Sequence, residues 1–98
     1  MAKKYKVNIS FNAQNDLEHI FYIAEDSINN AKNFILELED KIYSLDTMPE
    51  RFALIPENIF FGTNYRQITH KKYRVIYKIS GNAVFIMRVV HGAKLLDL

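Results

Sequence analysis

The sequence predicts an α+β fold: an N-terminal strand, an antiparallel helix hairpin, then a three-stranded antiparallel meander, with the helices packed on one face of the sheet. Three observations carry this expectation. Apolar residues alternate with period two near the N-terminus and again in the last third of the chain. Between about residues 13 and 45 they recur instead at steps of three and four. Ser80-Gly81-Asn82, a tight-turn signature, splits the strongest β-forming region into two runs.

Along residues 4–11, Tyr5, Val7, Ile9 and Phe11 alternate with Lys4, Lys6, Asn8 and Ser10, a strand with one buried face. Asn12 offers an N-cap, and Leu17, Ile20, Phe21 and Ala24 mark a helix over about residues 13–26. Asp26-Ser27 and Asn29-Asn30 interrupt it. Ala31, Phe34, Ile35, Leu38, Ile42 and Leu45 then give the clearest amphipathic pattern in the chain. The short connection makes the two helices a hairpin. Residues 49–64 read as a loop with apolar residues Phe52, Leu54, Ile55, Ile59, Phe60 and Phe61, which either plug the core or form a functional flap. Residues 64–69, 73–79 and 83–90 are the three strands of the meander.

At 98 residues the chain is expected to be one domain, 1–98. It has no cysteine, so disulfides and thiolate metal sites are excluded and a cytoplasmic setting is compatible. No apolar run approaches the roughly 20 residues of a membrane span. The basic start MAKKYKVNIS has no apolar segment behind it and does not read as a signal peptide. Charge is distributed unevenly. Residues 1–58 hold six Lys/Arg against ten Asp/Glu, a balance of −4; residues 59–98 hold seven against one, a balance of +6. The C-terminal part therefore either meets an anionic partner or carries lysines that solvate a sheet edge.

Strand parity sorts the candidate site. Tyr73, Val75, Tyr77 and Ile79 should face the helices. If the even residues of all three strands share the opposite face, Arg66, Arg74, Lys78 and Arg88 lie there together, with His70 and His91 at strand ends nearby. Cations on a partly apolar face need partners. They are solvated or paired with loop acids such as Glu50 and Glu57, or they bind a partner protein, or they hold RNA phosphates while a histidine moves a proton. Asp16, Glu18 and His19 are close in sequence but have no metal-ligand spacing with a third group. No phosphate-binding glycine loop or nucleophile elbow is present.

The segments TNYRQITHKKYRVIYKI and VFIMRVVHGAK, set in this order of elements, resemble the RelE/ParE superfamily, the toxins of bacterial type II toxin-antitoxin modules. The resemblance covers essentially the whole chain. It implies a cognate antitoxin that wraps the toxin in a hetero-oligomeric complex, with apolar residues such as Ile23 or Phe60 at the interface. It implies no cofactor and no metal. RelE-like members are ribosome-dependent endonucleases that cut mRNA; ParE-like members poison DNA gyrase. Arg74 stands where RelE-like nucleases place an arginine, but Tyr65 and Gln67 replace their two lysines, and the tail LLDL lacks their tyrosine. The ending Arg88–Lys94 resembles the RVLHGAR-type ending of ParE-like toxins. Gyrase inhibition is the implied function, with a metal-independent mRNA endonuclease and a non-toxic binding module as alternatives. A ribonuclease would use Arg74, Arg88, His91 and His70 catalytically. Arg66, Lys71, Lys72, Lys78 and Lys94 are the implied target-binding residues.

Overall fold

The computed structural model describes residues 4–23 and 28–92. The element order is β1 (Lys6–Ile9), α1 (Phe11–Ile23), α2 (Ile28–Tyr43), α3 (Asn58–Phe61), β2 (Arg66–His70), β3 (Tyr73–Ser80) and β4 (Ala83–His91). The four strands form one sheet in the order β1-β4-β3-β2. The last three strands make the expected antiparallel meander, and β1 adds to it in parallel, beside β4.

The N-cap of α1 is Ser10 rather than Asn12. Strand β1 stops at Ile9, and the Ser10 N–H still bonds the Ile86 carbonyl, at 3.1 Å. Its hydroxyl accepts from the Ala13 N–H at 3.1 Å and donates to the Met87 carbonyl at 3.0 Å. One serine thus ends a strand, starts a helix and ties both to β4. Beyond the end of β1, α1 runs along β4 in its place.

The main core lies between the helices and one face of the sheet. Ala13 and Ile20 of α1, Leu38 and Ile42 of α2, and Leu45 meet Ile68, Val75, Tyr77, Val84, Ile86 and Val89. The helix stripes and the odd positions of β3 pack as their periodicity requires. The segment 49–64 is not plain loop. Ile55 and Pro49 are buried and Phe52 packs on the core, while α3 forms one turn closed by Gly62 in the left-handed region at φ 66°. Within it, residues 53–55 run along the outer edge of β2, with Gln67 N–H to Ala53 O at 3.1 Å and Ile55 N–H to Tyr65 O at 3.0 Å.

Tyr77 fixes the start of this segment. Its hydroxyl, at the centre of the core, donates to the Pro49 carbonyl at 2.5 Å, and burial pushes its pKa up to about 12. Tyr77→Phe leaves that carbonyl unpaired and should cost about 1–2 kcal/mol. Urea unfolding checks this: the midpoint should fall while the slope stays unchanged.

Candidate functional site

Register decides which cations share a face. The turn between β2 and β3 is two residues, Lys71 and Lys72, so even positions of β2 pair with odd positions of β3: Arg66 with Tyr77, Ile68 with Val75, His70 with Tyr73. Arg66 and His70 therefore lie on the helix side, and the expectation that Arg66 joins the opposite face is corrected. The same reversal holds at the start of β4, where Val84 and Ile86 pair with Ile79 and Tyr77 and enter the core. A bulge then restores parity: Tyr77 pairs with Ile86, but Ile76 pairs with Arg88 and Arg74 with Val90. By register Arg74, Lys78 and Arg88 belong to the outer face, although the Arg88 side chain turns at the sheet edge to reach helix α1.

Arg74 is buried there, at 8% exposure. All three guanidinium nitrogens donate: Nη1 and Nη2 to the two carboxylate oxygens of Glu57, and Nε to Gln67 Oε1, each at 2.7 Å. This bidentate pair holds the Glu57 carboxyl below its ordinary 4.5, against the opposing effect of burial. Gly92 closes the far side. Its N–H bonds the Lys72 carbonyl at 2.7 Å, and a Cβ there would stand 3.4 Å from that oxygen.

Arg88 is engaged at the edge of the sheet. Its Nε and Nη2 donate to Asp16 of α1 at 2.8 and 3.0 Å, and Asp16 Oδ2 also accepts the Val89 N–H at 2.8 Å. The carboxylate thus occupies the place of a strand partner that β1 is too short to supply. Arg66 donates to the carbonyls of Glu50 and Phe52 at 3.1 and 2.6 Å. His70 stacks on Phe34 with centroids 5.5 Å apart, and its Nε2 is 2.7 Å from Glu37 Oε1. That hydrogen bond, with the charge of Lys71 3.5 Å away, holds the Glu37 carboxyl below its ordinary value. His91 ends β4 and meets Tyr73 edge-on at 5.5 Å. Lys72 is exposed, Lys78 stands over the Phe85 ring, and Lys94 lies outside the described residues.

The structure thus brings together no single cluster of the eight candidate residues it describes. Glu57 was among the partners the sequence offered. Asp16 and Gln67 were not, although Asp16 carries a signal: with Ala13 and Ile20 it lies on the buried stripe of α1, where a carboxylate needs a cation. Among the described residues no group of His, Asp or Glu could hold a metal ion.

The sequence model of one family, described as the ParE toxin of type II toxin-antitoxin system, parDE, matches residues 7–96. The chain belongs to the ParE toxin family. Among solved structures, this ParE-family chain is similar to one from a chromosomal ParDE toxin-antitoxin system of P. aeruginosa. The TM-score is 0.75 at 15% identity, over 90% of this chain and 96% of that one. It is also similar to one from the RelBE2 toxin-antitoxin complex of Mycobacterium tuberculosis. There the TM-score is 0.69 at 19% identity, over 94% and 95% of the two chains. Identities this low report the shared fold. No curated protein sequence matches the chain significantly.

One further surface of this ParE-family toxin is concave. A groove of about 400 Å³ between the helices is lined by Ile9, Leu17, Phe21, Ile35 and Tyr43, with Glu18 and Glu39 beside them.

Proposed function

We propose that this toxin inhibits DNA gyrase by protein–protein contact, and that a cognate antitoxin restrains it. The observation that carries the reading is the engagement of the cations. A metal-free ribonuclease needs guanidinium groups open to a phosphate. Here all three nitrogens of Arg74 are engaged by Glu57 and Gln67, Arg88 is held by Asp16, and Arg66 is held by two carbonyls. Tyr65 and Gln67 stand where the nuclease branch has lysines. Meanwhile the chain presents apolar side chains suited to protein contact. Ile59 and Phe60 are 82% and 86% exposed on α3, a turn anchored by Asn58 through its bonds to Tyr65 and Thr63. The groove between α1 and α2 is the surface offered to the antitoxin, whose segment would bring basic residues to Glu18 and Glu39.

The direct test adds purified protein to gyrase with relaxed plasmid. Supercoiling should stop, and cleaved complexes should accumulate. Ile59→Ser/Phe60→Ser should weaken inhibition at least tenfold with thermal stability unchanged. Primer extension on translated mRNA is the counter-test: cuts within codons that vanish in Arg74→Ala, with gyrase unaffected, would replace this reading with the endonuclease.

A further inference from the structure

The outer face of the sheet is only half covered. On the β2 side the Arg74–Glu57 pair lies over it, and Ile76 and Val90 are buried. On the β1 side register sets out a different surface. Asn8 pairs with Phe85 and Phe85 with Lys78; Lys6 pairs with Ala83 and Ala83 with Ser80. Val7, Ile9, Val84 and Ile86 occupy the core face, so these residues share the outer one. Phe85 is 36% exposed although β4 is an interior strand. An uncovered sheet face ordinarily carries polar residues at such a position. Lys78 Nζ stands 5.7 Å from the Phe85 ring centroid.

The electrostatics of this half are one-sided. None of the four strands contains an aspartate or glutamate. Lys6 and Lys78 form no ion pair among the described residues, in contrast to Lys4 with Asp46, Arg74 with Glu57 and Arg88 with Asp16. The arginines of this toxin are internally bound, and Lys6 and Lys78, the two lysines within these strands, share the outer face with its one aromatic ring there.

We propose that this half-face, Lys6, Asn8, Lys78 and Phe85, is a binding platform for single-stranded nucleic acid. Phe85 offers a ring for an unpaired base and the two lysines offer charge to the phosphates on either side of it. A flat face suits a strand whose bases are turned outward better than a duplex, whose bases are hidden in the stack. Binding here involves no cleavage, because the groups able to stabilise a reacting phosphate are engaged elsewhere. The proposal is independent of the gyrase reading, since oligonucleotide binding and supercoiling are measured separately.

The test is fluorescence anisotropy of a labelled oligothymidylate with the full chain at about 50 and about 200 mM salt, beside a duplex of the same length. The single strand should bind better than the duplex. Phe85→Leu, which keeps apolar volume but removes the ring, should weaken binding about tenfold. Lys6→Gln and Lys78→Gln should each lower the salt slope by about 0.7, a change that a general loss of structure would not produce. Absence of binding at the lower salt would overturn the proposal, as would equal affinity for the duplex or binding indifferent to both lysines. If Phe85→Leu fails to fold, the salt slopes of the lysine variants decide alone.

Discussion

Arg74→Ala should lower unfolding free energy by about 3 kcal/mol, among the larger single losses this fold can suffer. The substitution removes three charge-assisted or polar hydrogen bonds and leaves the Glu57 carboxylate, only 25% exposed, with no cation. Replacing both partners by apolar residues, Arg74→Met with Glu57→Leu, should cost less than Arg74→Ala alone, because no charge is then stranded. Acid gives a second readout. The Glu57 carboxyl titrates below 4.5 in the folded chain, so its contribution is complete above that value and is lost as pH falls through the lower folded value. Melting temperature measured from pH 6 down to about pH 3 should fall in the parent and fall less in Arg74→Ala. Residual folded Arg74→Ala should still inhibit gyrase, since the proposed contact does not use this side chain.

Asp16→Ala should be of similar size, again about 3 kcal/mol, for a different reason. Asp16 joins two elements through three bonds, two to the Arg88 guanidinium and one to the backbone of Val89. Its loss takes two bonds from a largely buried cation and the acceptor from an edge N–H. Asp16→Asn keeps an acceptor for the Val89 N–H and should recover part of the stability. Hydrogen exchange locates the effect: in Asp16→Ala the amides of residues 87–91 should exchange faster, while those of residues 83–86, beside β1, should change little.

How much of this was legible in the sequence follows from what each signal depends on. The two helices and four strands are readable because their apolar periods are set by local geometry; Leu38, Ile42, Val75 and Tyr77 fall in the core for that reason. The composition of the outer face was less legible, because it depends on pairing. The two-residue Lys71-Lys72 turn moves Arg66 to the helix side, and the bulge at Met87 returns Arg88 to the outer face. Neither is visible in alternation alone. Arg74 was correctly placed on the outer face, but its burial depends on Glu57, seventeen residues earlier in a segment with little periodicity. The sequence offers Asn12 as the cap and the structure uses Ser10, because the length of β1 is fixed by its partner β4, at the other end of the chain.

The parallel pairing of β1 with β4 also governs when the chain can fold. Among the described residues the first strand pairs with the last alone, and β4 is the interior strand on which β1, α1 and β3 all depend. A nascent chain that stops short of Ala83 can pair β2 with β3 but leaves β1 and α1 without the strand they pack against, and the closing contacts span more than seventy residues. Closure of this fold therefore waits on β4.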